Sequence, residues 1–334
     1  MSNHRFPQKS NEKLPTDSGS ELLTFCVSRL PALIRGAGER AERRFLEFFT
    51  ANIRNSGTRR VYGHAVGRFC HWCEHRGVTL DQVSPFIVAG YIEQLTGQLS
   101  APTVKLHLAA IRMLFDWLVT GQVVAVNPAA SVRGPKHIVR KGKTPVLVAA
   151  EARQLLNAID CSKIAGLRDR ALIGVMVYSF ARVSATIGMN VEDCFLQGRR
   201  MWFRLHEKGG KRHDVPAHHN AESYVDAYLT ASGISDGPKS PLFRSVSRHR
   251  QLTSRPMHRT DVLRMIKRRA RKAGLVTRVC CHTFRATGIT AYLENGGSLE
   301  HAQRIAAHES VRTTKLYDRT SDAISLDEIE RIII

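Results

Sequence analysis

The sequence predicts a mainly α-helical protein with a small antiparallel β-sheet, folded as two domains. Three observations carry that expectation. At 334 residues the chain is long enough to build two hydrophobic cores. Apolar residues recur at helical spacing through most of its length. One stretch, RMWFRLHEKGGKRHDVPAH (200–218), instead alternates apolar and polar residues, turns at Gly209-Gly210 and returns through Val215, which is the signature of a hairpin.

Residues 1–36 read as a loose polar tail. A helical pattern begins at Glu39 with Phe45, Leu46, Phe48 and Phe49 in one stretch. It continues from Thr58 to His75, where Val61, Tyr62, Ala65, Phe69 and Trp72 share a face and Gly77 ends the run. Pro85–Leu95 and Pro102–Leu118 supply two further helices, the second with Leu106, Ile111, Leu114 and Leu118 inward. These four helices form a domain over 37–131. Residues 132–147 contain Gly, Pro and five Lys or Arg with little to bury, and read as an exposed basic linker. A second domain, 148–322, opens with helices at Ala149–Ile159 and Arg168–Phe180. The hairpin follows, and helices resume at about Thr260.

Charge narrows the function. Lys and Arg total 50 against 29 acids, a formal net charge of +21. An excess of that size fits a polyanionic partner whose phosphates the basic side chains neutralise. An anionic membrane would call for a basic amphipathic helix or a lipid signal, and neither is found. The N-terminus lacks the apolar core of a secretory signal, and the longest apolar run, Ala171–Ala181, is too short to span a bilayer. Seven cysteines without a framework spacing fit a reducing cytoplasm. Cys70 and Cys73 form a C-x-x-C flanked by His71 and His75, but no second cysteine pair follows. Helix packing is the expected role there, with zinc or redox use the rival reading. The chain has no Walker-type phosphate loop and no obvious carboxylate cluster for paired magnesium ions, so neither cofactor nor metal is expected.

Candidate site residues gather in the second domain. In CHTFRATGITAYLENGG, His282 and Arg285 lie three apart at the start of a helix that Gly296 ends, so they share a face. Upstream, RMIKRRARKAG places Arg264, Lys267, Arg268 and Arg271 along one side of a helix. Only one sign of charge is present in that run, which favours phosphate contact over intrahelical pairing. Lys136, Arg140 and Lys141 in the linker are further candidates for DNA contact. To these the chain adds Arg182 in SFARVSATIGM, Lys208 in EKGGKR, and His308 and Tyr317 in HESVRTTKLYDRT. Each has a bland alternative: Arg182 as a cap on the C-terminus of the apolar helix, Lys208 as turn charge, His308 as a helix-end residue, Tyr317 as packing.

In this order and spacing, GLRDRALIGVMVYSFARVS, EKGGKRHDVP, CHTFRATG and AAHESVRTTKLYDR resemble the tyrosine recombinase or phage integrase family. The resemblance runs from about Glu39 past Tyr317. It implies an N-terminal four-helix, SAM-like core-binding domain and a catalytic domain. It also implies site-specific recombination of DNA through a covalent 3′-phosphotyrosine. Arg182, Lys208, His282, Arg285, His308 and Tyr317 are then the catalytic residues, with Tyr317 the nucleophile and Lys208 the general acid (Lys211 its rival). The residue types suit that chemistry. Forked guanidiniums hold the non-bridging oxygens of a phosphodiester, and His282 either accepts the phenolic proton or donates to the phosphate. The implied partners are double-stranded DNA with paired half-sites and a homo-tetramer on it, with accessory DNA-bending proteins as further candidates. No membrane is involved, and the setting is the bacterial cytoplasm and nucleoid. An integrase or transposase-like recombinase of a mobile element is the expected role. The alternatives are a non-catalytic DNA-binding protein of the same fold and a type IB topoisomerase-like nicking-closing enzyme. Two departures from the family's pattern stand out. Ala185 occupies a position three after the first arginine that is often acidic, and Phe180 stands where glycine is usual, so whatever orients Arg182 must come from elsewhere. The last residues, 323–334, with Leu326, Ile329 and three terminal isoleucines, read as a short helix for docking between protomers.

Overall fold

A computed structural model describes residues 30–138, 142–207 and 210–319. The chain divides into two compact units, Met1–Ile138 and Val139–Ile334. Lys208, Arg140, Lys141, the segment 323–334 and residues 1–29 of the expected tail lie outside the described residues, while the end of that tail is not loose, since Ala32–Arg35 is helical with Leu33 and Ile34 in the core.

In the first unit, helices α1 (Ala32–Arg35), α2 (Glu39–Glu47), α3 (Ser56–Glu74), α4 (Pro85–Thr96) and α5 (Ala101–Thr120) surround one core, with α2 running on as a wider turn through Phe48–Asn52. Local chemistry explains the boundaries. The Asn55 side chain accepts from the Thr58 amide at 3.0 Å to start α3, and prolines occupy the first turns of α4 and α5, where no amide donor is needed. Phe45, Phe48, Phe69, Ile111, Leu114 and Phe115 are buried together. Cys70 and Cys73 are buried among them, and burial is the largest influence pushing the Cys73 thiol up to about 12. They pack as neutral thiols. Among the described residues no cluster of His, Cys, Asp and Glu is placed to hold a metal ion, and all six cysteines there are free. The segment expected to bury little is anchored at its start. Val132 joins the core, and Arg112 donates to the carbonyls of Ala129 (2.9 Å) and Val132.

The second unit contains α6 (Ala149–Asn157), α7 (Ile164–Tyr178), α8 (Val183–Ile187), β1 (Cys194–Gln197), β2 (Arg200–His206) and β3 (Arg212–Pro216). After these come α9 (His219–Ser232), β4 (Arg244–Val246), β5 (Leu252–Pro256), α10 (Arg259–Lys272), α11 (Cys281–Glu294), α12 (Leu299–Ile305) and α13 (Val311–Lys315). The expected hairpin is present, with Phe203 paired to Val215 and His206 to Arg212. It gains a third antiparallel strand, β1. Helix α9 and the β4–β5 hairpin were not expected between the sheet and Thr260. Helix α9 buries only Ala221, Val225 and Tyr228, a stripe sparse enough to read as loop. Among the described residues no helix is long and apolar enough to cross a membrane.

Helix α7 is the spine of this unit. It buries Ala171, Leu172, Ile173, Val175 and Met176 on successive positions, which only a helix covered all round can do. Its one buried carboxylate, Asp169, takes Arg168 through Oδ1 (2.6 and 3.1 Å) and Arg269 of α10 through Oδ2 (2.7 and 3.0 Å). Arg168 also donates to the Arg244 carbonyl of β4 at 2.9 Å. One acid thus ties three elements together.

Candidate active site

The site is built where α7 ends. Phe180 adopts φ of +53°, in the left-handed region that glycine occupies without penalty and a phenylalanine does not. The reversal turns the Phe180 carbonyl toward α11, and its ring packs with Ile289, Leu293, Ala302 and Ala306. Helix α11 approaches closely because residue 288 is glycine. A Cβ there would collide with the Val177 carbonyl oxygen and lie 2.8 Å from the Phe180 ring. One turn earlier on α11, Arg285 donates through Nη1 to the Phe180 carbonyl and through Nη2 to the Ala306 carbonyl at 2.5 Å. The guanidinium is therefore held from two sides by backbone and is 1 % exposed. Burial chiefly, then the nearby Arg182 charge, lowers its pKa to about 10, while Glu207 and a hydrogen bond with Tyr317 push the other way. It remains a cation at neutral pH.

Arg182 does not cap the end of α7. It is the residue preceding the first turn of α8, and its guanidinium reaches across to Glu207, the last residue before the hairpin turn. Glu207 also lies 4.0 Å from Arg285. This acid was not singled out from the sequence, although a signal for it existed. Phe203, Leu205 and Glu207 fall on the same face of the strand and its extension, and all three are buried. A carboxylate on a buried face requires cationic partners. Where Ala185 offers Arg182 no charge, Glu207 is the acid that the structure places beside it.

His282 opens α11, half-buried, and is held below the ordinary histidine value first by burial and then by the charges of Arg285, Arg182 and Arg259. His308 is buried and pushed down to about 3 by burial, Arg285 and Arg182 in that order. Its Nδ1 pairs with the Thr314 hydroxyl at 2.8 Å, which fixes the ring plane and leaves Nε2 for another partner. The Tyr317 ring lies parallel to that of His308, with centroids 5.8 Å apart and planes 9° from parallel. The tyrosine backbone is fixed as well. Thr290 Oγ1 donates to the Tyr317 carbonyl at 2.9 Å, and the Gly142 amide donates to the Leu316 carbonyl at 2.8 Å.

Arg182, His282, Arg285, His308 and Tyr317 thus lie in one electrostatically connected group, drawn from four separate segments, with His282 and Arg285 sharing α11. Lys208 is outside the described residues, but Glu207 before it belongs to this group, and the Glu207 amide donates to the Lys211 carbonyl at 2.8 Å to close the hairpin. Two guanidiniums, two neutral imidazoles and a phenol form a site able to hold an oxyanion and to relay a proton.

The basic face of α10 is also present. Arg264, Lys267, Arg268 and Arg271 are exposed, opposite buried Val262, Met265, Ile266 and Ala270. The face is not free of acids, which corrects the sequence reading. Arg264 pairs with Asp261 at 3.3 Å, and Arg268 lies 3.8 Å from the buried Asp169. Lys136 in the linker is exposed.

Known proteins match this chain in both units. The phage integrase family model covers residues 145–323, and that of the phage integrase N-terminal SAM-like domain covers residues 43–122. Tyrosine recombinase XerC of Thermodesulfovibrio yellowstonii is 27% identical over 270 residues, covering 79% of this chain and 85% of the relative. Tyrosine recombinase XerD of Corynebacterium glutamicum is 30% identical over 287 residues, covering 81% and 89%. Among solved structures, the XerH site-specific recombinase on its palindromic difH substrate shares the fold at a TM-score of 0.67, 17% identity and 90% coverage of each chain. A lambda integrase dimer on a core site does so at 0.63 and 19% identity, over 85% of this chain and 79% of that one. Matched in both units and aligned with its relatives over most of their length, the chain belongs to the phage integrase family of tyrosine recombinases, enzymes that break and rejoin DNA.

Proposed function

We propose that this protein is a site-specific recombinase that cleaves duplex DNA by direct attack of Tyr317 on a phosphodiester. The carrying observation is that Arg285 and His308 lie against that tyrosine and that Arg182 and His282 gather on the same Arg285. The phenolic oxygen bonds to phosphorus as the bond to the 5′ oxygen breaks. The phenol's proton passes to His282, whose imidazole is able to accept it because it is kept neutral. Lys208, at the hairpin turn, supplies a proton to the leaving 5′ oxygen. Arg182 and Arg285 hold the non-bridging oxygens as negative charge builds on them, and His308 adds a hydrogen bond through Nε2. The product is a 3′-phosphotyrosyl ester, which retains the energy of the broken bond and is resealed by a new 5′ hydroxyl.

The basic linker around Lys136 and the exposed cations of α10 are the surfaces proposed to lie against phosphates. Assembly as four protomers on paired half-sites, with residues 323–334 linking neighbours, is part of the same reading. It is supported by the fold shared with a lambda integrase tetramer on a Holliday junction, at a TM-score of 0.61 and 17% identity. Service to a mobile element, in the bacterial cytoplasm, completes it. The experiment uses a nicked suicide duplex, from which the cleaved strand escapes, resolved on a denaturing gel. Wild type forms a covalent protein–DNA adduct, and Tyr317→Phe binds the same duplex within about twofold, since only a hydroxyl is lost, yet forms none. An adduct with the Phe variant overturns the assignment of the nucleophile. Absence of an adduct with wild type favours the non-catalytic reading.

A further inference from the structure

Resting on the reading above, we infer that Glu207 is a positioning residue that sets the two arginines of the site, Arg182 and Arg285, in their phosphate-binding arrangement. Two guanidiniums directed at one phosphate repel each other until the phosphate arrives, and in a buried site that repulsion is weakly screened. The fold supplies one carboxylate to offset it. Glu207 takes Arg182 through one oxygen, and its other oxygen lies 4.0 Å from Arg285.

Three features identify the role as support and not as a stand-in for substrate. The Glu207 side chain is 3 % exposed and approaches from the inward face of the sheet, whereas Arg182 is 31 % exposed. A phosphate reaches the pair from the open side, where the Arg182 guanidinium makes no hydrogen bond other than that to Glu207 among the described residues. Arg285 is already fastened from behind to the carbonyls of Phe180 and Ala306, so Glu207 is the third point that defines its plane. The helix that carries Arg182 offers no alternative, because Ala185, one turn along α8, is buried and uncharged. Glu207 also directly precedes the hairpin turn, so the same residue links the setting of the arginines to the base of the loop that bears Lys208.

The test is single-turnover cleavage of the suicide duplex by the full chain. The rate constant comes from the folded, DNA-bound fraction, so that partial unfolding lowers amplitude and not rate. Glu207→Gln should slow adduct formation by about a hundredfold, the scale of a slightly misplaced catalytic group, with half-site affinity within about threefold of wild type. Glu207→Asp keeps the charge at shorter reach and should fall between the two. In an Arg182→Ala background, the further cost of Glu207→Gln should shrink to about tenfold or less, because the hydrogen-bonded partner is gone and only the 4.0 Å approach to Arg285 remains. Three results would each overturn the assignment: a Gln variant as fast as wild type, an Asp variant no faster than Gln, or a full hundredfold loss in the Arg182→Ala background. Should wild type itself form no adduct, the recombinase reading fails first; a normal wild type with unaffected Glu207 variants sinks this inference alone.

Discussion

Among the described residues of the second unit, the buried carboxylates Asp169 and Glu207 each sit between arginines, and they differ in how completely the acid consumes its partners. At Asp169 both oxygens receive paired hydrogen bonds, Oδ1 from Arg168 and Oδ2 from Arg269, and the acid has no exposure to solvent. Arg168 also donates through Nη1 to the Arg244 carbonyl. Both oxygens of this acid are spent inside the fold. At Glu207 the acid takes Arg182 through Nη1 alone and merely approaches Arg285, so the outer donors of Arg182 remain uncommitted. The same two residue types, carboxylate and guanidinium, therefore make a closed tie in one place and an open receptor in the other. What separates them is geometry, not residue type. A paired network is expensive to break because removing one partner strands the others, whereas a half-committed guanidinium is available to an incoming anion.

Three experiments bear on that contrast, beginning with the largest expected effect. Asp169→Asn leaves buried Arg168 and partly buried Arg269 short of a counter-charge and should cost about 3–5 kcal/mol of stability by urea unfolding, with the cleavage rate of the folded fraction unchanged. A loss below about 1 kcal/mol would show that this tie is dispensable and the contrast mistaken. Arg182→Lys should do the reverse. The ammonium keeps the charge but loses the fork, so suicide-substrate cleavage should fall by about 10²–10³-fold, with stability shifted by less than about 1 kcal/mol. A variant that cleaves normally would mean that Arg182 contributes charge and not directed donors.

The smallest effect concerns pH. His308 is neutral in the fold down to about pH 3, whereas an ordinary histidine takes up a proton near 6.5. As pH falls below 6.5, the unfolded chain binds a proton that the DNA-free fold refuses. Stability should therefore decline with falling pH between about 6.5 and 3, at no more than about 1.4 kcal/mol per unit from this group, and should be flat from it above that window. His282 acts in the same direction. Urea midpoints measured from pH 7 to 5 on wild type and His308→Gln check this. An unchanged slope in the Gln variant would show that His308 titrates normally in the folded protein.

Much of the molecule was legible without coordinates, for reasons that can be stated residue by residue. The helices of the first unit follow from repeats such as Leu106, Ile111, Leu114 and Leu118, and the hairpin from the alternation at Phe203, Leu205 and Val215. These patterns are local, and an element's period is written into consecutive side chains. The candidate residues Arg182, His282, Arg285, His308 and Tyr317 were found because their types and order carry a chemical theme. Helix α9 was missed because its inward stripe is thin. The acids facing α10 were missed because Asp261 lies just before the quoted basic run and Asp169 lies 100 residues before Arg269.

By itself, then, the sequence determined most of the helices, the β2–β3 hairpin and the net charge, and it named candidates for the reactive groups. Only the tertiary structure decided which carboxylate meets which arginine. Arg182 and Glu207 are 25 residues apart, and a turn, a short helix and two strands intervene. Periodicity fixes which face of an element a side chain occupies. Partnership across such a gap depends on how those faces come together, on the left-handed turn at Phe180, and on the close crossing that Gly288 permits. Charges act through space with a strength set by distance and burial, and neither quantity is a property of position along the chain.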